Sequence, residues 1–378
     1  MTGGMPSGDD VTGFLPHDCQ ARIASLRERM LAEDYAALLV TDLVNLRYIT
    51  GFTGSAGVAL VTPEALHFIT DGRYDEQCRV QLAASGVDAE IHISGPEGLE
   101  PELRGLVDQA ELTSLALEAS RITWQLKIDI SGWIPKCEVA AAPDIIGQLR
   151  MLKSPAEVSR MAAAAELGDA AFSYILERIE VGRSESEIAR EIERYMIDNG
   201  ADALSFDAIV AGGAHSAMPH ARPGQVRLVG NEVVLMDFGC IVDGYCSDMS
   251  RTVFLGTPPE ELDHVYEVVF QAQAAGLEGV APGRPCSEVD ALCRDLITSS
   301  GYGEQFTHST GHGVGLEIHE EPRLSRAGAD ILAAGHVVTV EPGIYLTGIG
   351  GVRIEDMVLV TDDEPLVLTS SPKELIVL

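Results

Sequence analysis

GRSESEIAREIERYMIDNG, residues 182–200, returns 101 residues downstream as GRPCSEVDALCRDLITSSG, residues 283–301. Both stretches open on Gly-Arg, place Ser-Glu at the same offset and end on glycine. Further on, VVLMDFG (233–239) matches VVTVEPG (337–343) at an offset of 104. Several matches in one order indicate a duplicated structural unit. Each copy is expected to hold two helices followed by strands. Two such units can pack about a pseudo-twofold axis, their sheets forming one curved α+β core. The duplication also sets Asp237 of the first copy where Glu341 stands in the second, so carboxylates from equivalent positions would meet near the axis.

Upstream, SPAE (154–157) supplies Ser154 as N-cap, Pro155 at the first helical position and Glu157 to complete a capping box. A long helix therefore starts there, and a domain boundary is expected near residue 150. Before it, residues 17–145 alternate helical and strand-like stretches. QARIASLRERMLAEDY has helical spacing, and AALLVT, LRYITG, AGVALVT and LHFITD read as strands. The expected organisation is a leader over 1–16, an α/β domain over 17–148 and the duplicated domain over 149–378.

The chain carries 58 acidic and 26 basic residues, a formal charge of −32. This argues against nucleic acid and against an anionic membrane surface, since both demand a basic face. Seven cysteines without a C-x-x-C pair suggest neither a disulfide framework nor a thiolate zinc site. MTGGMPSGDDVTGF lacks the charged and apolar regions of a secretory signal and reads as a disordered leader. No apolar run approaches transmembrane length. A cytoplasmic enzyme or binding protein is expected.

MDFGCIVDGYCSD (236–248) contains two acids eleven residues apart, Asp237 and Asp248. Asp243-Gly244 between them is a hairpin signal. With that pair at the turn, position 239 faces 248, and Asp237 lies on the same face as Asp248, about 7–8 Å away. The neighbours of Asp237 are apolar, which argues against a solvated acidic face. Glu341 ends the apolar stretch HVVTVEPG, and Glu355 lies within GGVRIEDMVLV. Carboxylates buried together repel and lose hydration unless a cation joins them. Four carboxylates with a nearby imidazole suit Mn, Co or Zn rather than a thiolate-seeking metal. Their charge calls for two ions. Ions roughly 3.5–4 Å apart can share a hydroxide and polarise a carbonyl, which is hydrolytic chemistry.

THSTGHGVGLEIHEEP (307–322) brings His308, His312 and His319 among three glycines. Glycine lets backbone pass close to something, and histidine and glutamate bind metals or move protons. By themselves these residues leave ligand, proton carrier and structural roles open.

The blocks FDAIVAGGAHSAMPH, DFGCIVDGYCSDMSRT, HSTGHGVGLEIHEEP, VVTVEPGIY and GGVRIEDMVLVT resemble, in order and spacing, the creatinase/aminopeptidase ("pita-bread") family. The resemblance is closest to its Xaa-Pro peptidase branch, aminopeptidase P and prolidase. GFTGSAGVALVT and FITDGRYDEQ resemble that branch's creatinase-type N-terminal domain, so the likeness spans about residues 17–378. It implies dinuclear metal ligands at Asp237, Asp248, His312, Glu341 and Glu355. Asp248 and Glu355 would bridge, Asp237 would complete one ion, and His312 with Glu341 the other. Glu341 would also relay protons. His220, His308 and His319 would bind substrate or stabilise the tetrahedral intermediate, with Arg353 supporting the site.

The implied activity is Xaa-Pro aminopeptidase, acting on short proline-containing peptides through a metal-bridged hydroxide with manganese, or cobalt or zinc, as the ions. Xaa-Pro dipeptidase (prolidase) is the alternative. A metal-free peptide-binding module is the reading from another class, and the intact ligand set argues against it. A homodimer or higher oligomer is implied, the N-terminal domain narrowing access to the site. TDGRY within that domain reads either as reaching an active site or as a structural turn.

Overall fold

The Ser154 hydroxyl accepts a hydrogen bond from the Glu157 N–H at 3.4 Å, and the Glu157 carboxylate accepts from the Ser154 N–H at 2.9 Å. This reciprocal cap starts the helix Pro155–Leu176 where the sequence places it. Ser184 and Glu187 repeat the device at the head of the helix Glu185–Asp198. In the second copy Pro285 stands at the equivalent position and no side chain caps the helix Cys286–Ser299.

These elements belong to a computed structural model that describes residues 13–378. The expected leader, residues 1–16, lies mostly outside the described residues. By its internal contacts the chain divides between Arg150 and Met151 into two units. Among the described residues no helix is long and apolar enough to cross a membrane.

The second unit realises the repeat. Its first copy runs through the helices Pro155–Leu176 and Glu185–Asp198 into the strands Ile209–Gly212, Glu232–Phe238 and Met249–Leu255. Its second copy runs through Glu260–Gly279 and Cys286–Ser299 into Gly311–Gly313, Val337–Val340 and Asp356–Leu359. In each copy the second of these strands is central, flanked by the first and third. The third strands meet at the seam, where the Glu355 N–H donates to the Ser250 carbonyl at 3.1 Å. Arg251 crosses the same seam, donating to the Glu355 carbonyl and to Asp356. Each copy packs its helices on its strands through a separate apolar core. Phe172, Ile188, Met196, Val234 and Phe238 lie in one, and Val269, Cys293, Ile297, Val338 and Val358 in the other.

The first unit is built on a six-stranded mixed sheet. Its spatial order is Glu90–Ser94, Leu66–Asp71, Val58–Val61, Leu38–Val40, Ser114–Glu118, Glu138–Ala142. Three of the four expected strands are present. LRYITG is not a strand: Leu43–Thr50 is a helix, capped by the Asp42 side chain on the Asn45 N–H and ended by Gly51 at φ 74°. The caps outweigh the β-leaning composition of the segment. TDGRY forms a turn, its Arg73 pairing with Asp71 at 2.8 Å and its Tyr74 hydroxyl meeting Ser55 at 2.6 Å.

Candidate metal centre

Asp243 and Gly244 both adopt positive φ, 44° and 82°, the conformation of a two-residue hairpin turn. The register follows: Val242 faces Tyr245, and Phe238 faces Met249. Asp237 thus faces Ser250, and Asp248 sits one residue before the strand Met249–Leu255. Glu341 stands just past Val337–Val340, and Glu355 in the break between Gly350–Arg353 and Asp356–Leu359. Glu341 thus stands at the strand end where the sequence reading put it, whereas Glu355, expected inside a strand, lies in a break; Asp237 is within a strand and Asp248 just before one. Side chains from both copies converge there.

His312 joins them from the strand Gly311–Gly313. Gly311 permits this, because a Cβ there would fall 1.9 Å from the Thr339 carbonyl oxygen. His312 Nε2 lies 3.5 Å from both Asp248 Oδ2 and Glu341 Oε1. Ligand atoms of Asp248, His312 and Glu355 all fall within 4.8 Å of one another. The His312 Nδ1 lies 3.0 Å from the Gly313 carbonyl, which can only accept, so Nδ1 carries the proton. Burial lowers the His312 pKa to about 4, so the ring is neutral and its Nε2 lone pair points at carboxylate oxygens. With those acids ionised, the arrangement is repulsive unless a cation lies between them.

The carboxylates fit a cation equally well. Glu355 Oε2 accepts from the Ser250 hydroxyl at 2.7 Å, whereas its Oε1 is buried without a hydrogen bond. Asp237 Oδ2 accepts from Arg353 at 2.6 Å, whereas its Oδ1 is likewise buried and unpartnered. Each acid is oriented through one oxygen and offers the other, as supporting hydrogen bonds around a metal do. Burial first, then the neighbouring acid charges, push Asp248 and Glu341 well above the usual carboxylate range. Burial and the Asp237 charge push Glu355 up to about 8. One guanidinium cannot neutralise four such acids; divalent cations can.

Arg353 organises the other side. It donates to Asp237, to the Ser250 hydroxyl at 2.7 Å, to the Tyr345 hydroxyl at 2.8 Å and to the Pro219 carbonyl at 3.2 Å. The Tyr345 hydroxyl in turn lies 2.9 Å from His308 Nε2. His308 Nδ1 is 2.8 Å from the Ser309 carbonyl, so that nitrogen holds the proton and Nε2 accepts from Tyr345. Burial lowers the His308 pKa to about 4. Its two nitrogens are thus both engaged inside the protein. His319 and His220 are exposed. The His319 ring packs edge-on against His312 with centroids 4.4 Å apart. His220 is close enough to Asp237, His308 and His319 to influence their titration. Ser250, Thr339 and Tyr345 escaped the sequence reading, although all three lie in or beside its blocks. Their importance rests on hydrogen bonds that no spacing reveals.

Residues 159–362 match metallopeptidase family M24, and residues 22–152 match the Creatinase/Prolidase N-terminal domain. The chain belongs to metallopeptidase family M24. Its fold is that family's creatinase-type N-terminal domain followed by the pita-bread domain. It is 41% identical over 356 residues to the Xaa-Pro dipeptidase of Pyrococcus horikoshii, covering 94% of this chain and 98% of that one. It is similar to the structure of the Xaa-Pro dipeptidase from Bacillus anthracis, with TM-score 0.91, 40% identity, and 95% of this chain and 100% of that one covered. It is also similar to the X-Pro aminopeptidase from Thermotoga maritima, with TM-score 0.86, 32% identity, and 93% and 100% covered. Metallopeptidases of this family use divalent metals, and the M24 domain here presents the acids and the imidazole that such ions need.

Proposed function

We propose that this metallopeptidase is an Xaa-Pro dipeptidase (prolidase), hydrolysing dipeptides whose second residue is proline. This replaces the aminopeptidase expectation, because relatives alike over nearly the whole chain are named Xaa-Pro dipeptidase. The reading of the site rests on the two unpartnered buried oxygens of Asp237 and Glu355 beside the neutral His312. Asp237, Asp248, His312, Glu341 and Glu355 would hold two divalent ions, with manganese the first choice and cobalt or zinc the others. Bound there, the ions would activate water and polarise the scissile carbonyl.

The chain's own groups do the rest. Glu341, which accepts from the Thr339 hydroxyl at 3.4 Å, would take a proton from the attacking water and pass it to the leaving proline nitrogen. His319 and His220, open to solvent at the rim, present N–H groups to the substrate's carbonyl and carboxylate oxygens. His308 and Arg353 are positioning residues in this scheme, because their hydrogen bonds run to Tyr345, Asp237 and Ser250. A bond to proline is a tertiary amide without an N–H, so recognition must come from the ring's shape and the placement of the carbonyl. The working form is proposed to be a cytoplasmic homodimer or higher oligomer.

With manganese supplied, Ala-Pro is expected to be cleaved at least about a hundredfold faster than Ala-Ala, the scale on which one fitted pocket discriminates. Ala-Pro-Ala should be a poor substrate. Faster release of alanine from Ala-Pro-Ala than from Ala-Pro would restore the aminopeptidase reading.

His319→Ala and His220→Ala should each lower kcat/KM for Ala-Pro by about 10²-fold, the usual scale for acid-base or electrostatic groups. Metal content should stay at the wild-type value. Metal lost along with activity would instead make them ligands.

A further inference from the structure

The first unit carries a convergence of metal-binding groups of its own. The strands Leu66–Asp71 and Glu90–Ser94 run parallel at one edge of its sheet. Their register sets His67 opposite Glu90 and Ile69 opposite His92. Side chains alternate along a strand, so His67, Glu90 and His92 share one face. His67 Nδ1 lies 3.2 Å from His92 Nε2 and 3.4 Å from Glu90 Oε2. Ligand atoms of all three residues fall within 4.8 Å of one another.

These separations match a known geometry. Two atoms bound to a tetrahedral zinc at about 2.05 Å sit about 3.3 Å apart. Hydrogen bonding meets the same contacts less well. If His67 Nδ1 carries a proton, one hydrogen is divided between an imidazole nitrogen and a carboxylate oxygen. If it does not, its lone pair faces the Glu90 carboxylate. A divalent cation satisfies all three groups at once.

We propose that His67, Glu90 and His92 form a third divalent-metal site of borderline softness, the kind that takes zinc. Two imidazoles and one carboxylate leave one tetrahedral position for solvent, and the Glu90 side chain, 66% exposed, opens the site to water. The ion clips the edge strand Glu90–Ser94 to its neighbour. Binding the folded chain and not the unfolded one, it stabilises the N-terminal sheet by mass action.

The test compares zinc content after chelator stripping and dialysis against Zn²⁺. His92→Ala is expected to hold one zinc fewer per chain than the wild type. When loaded with manganese it should hydrolyse Ala-Pro at the wild-type rate. Because this is a difference, it does not depend on how many ions the M24 centre retains. Equal zinc content in the two proteins would overturn the site. Should His92→Ala fail to fold, Glu90→Gln alters only the exposed ligand. It should weaken binding of that one zinc by at least about tenfold, a loss seen even for groups that merely support a ligand. Unchanged zinc affinity in Glu90→Gln would overturn the site as well.

Discussion

Asp248→Asn is expected to lose bound divalent metal and to lower Ala-Pro hydrolysis by at least about a thousandfold, beyond the cost of a single electrostatic group. The change keeps the shape of the side chain and removes only its charge. Asp248 is 5% exposed, with its Oδ2 3.5 Å from the His312 lone pair and Glu355, Asp237 and Glu341 acting on its charge. An amide at this point could not supply the anionic oxygen through which Asp248 would bind the ions. Metal analysis and an Ala-Pro assay on one preparation check this, and wild-type metal with wild-type turnover would sink the assignment.

The same site gives the metal-free protein an opposite trend. A carboxyl whose folded pKa is raised destabilises the fold when it ionises. Glu355 rises from its usual 4.5 to about 8. Stability of the metal-free wild type should therefore fall as pH climbs through that window, and divalent metal should abolish the fall. Metal-free Asp248→Asn should melt above metal-free wild type, because one of the mutually repelling charges is gone.

Arg353→Met should have the second large effect. Arg353 is 3% exposed, and its partner Asp237 is also largely shielded. Removing one member of a buried pair leaves the other charge uncompensated, at a cost of about 3–5 kcal/mol. The thermal midpoint of the metal-free protein should drop by roughly ten degrees. Activity should fall too, since Ser250, Tyr345 and through it His308 lose their common donor. Arg353→Lys should recover only part of both losses, because an ammonium keeps the charge but cannot hold the fork of bonds that guanidinium makes. A methionine variant with the wild-type midpoint would show that Asp237 is neutralised by other means.

The duplication was legible because Gly-Arg turns, paired helices and apolar strands are local devices that the second copy keeps, although Pro285 stands there in place of the Ser184 cap. The hairpin at Asp243-Gly244 could be read for the same reason: two positive-φ residues in a row fix the pairing on either side. From that register alone Asp237 and Asp248 fall on one face, and the repeat adds Glu341. LRYITG was misread because composition favours a strand there, while Asp42 and Gly51, one residue outside each end, decide for a helix.

What the chain determined by itself, then, is its element order, its repeat and the acids that the repeat brings together. Tertiary structure alone decided which oxygens of those acids are tied and which are free. Ser250 reaches Glu355 across 105 positions and Arg353 reaches Asp237 across 116, and pairings at such separations depend on how the two copies close on each other. The same holds for His67 and His92, which are 25 positions apart. They meet only because a crossover helix returns the second strand parallel to the first in one register, and a slip of one residue would turn His92 to the opposite face.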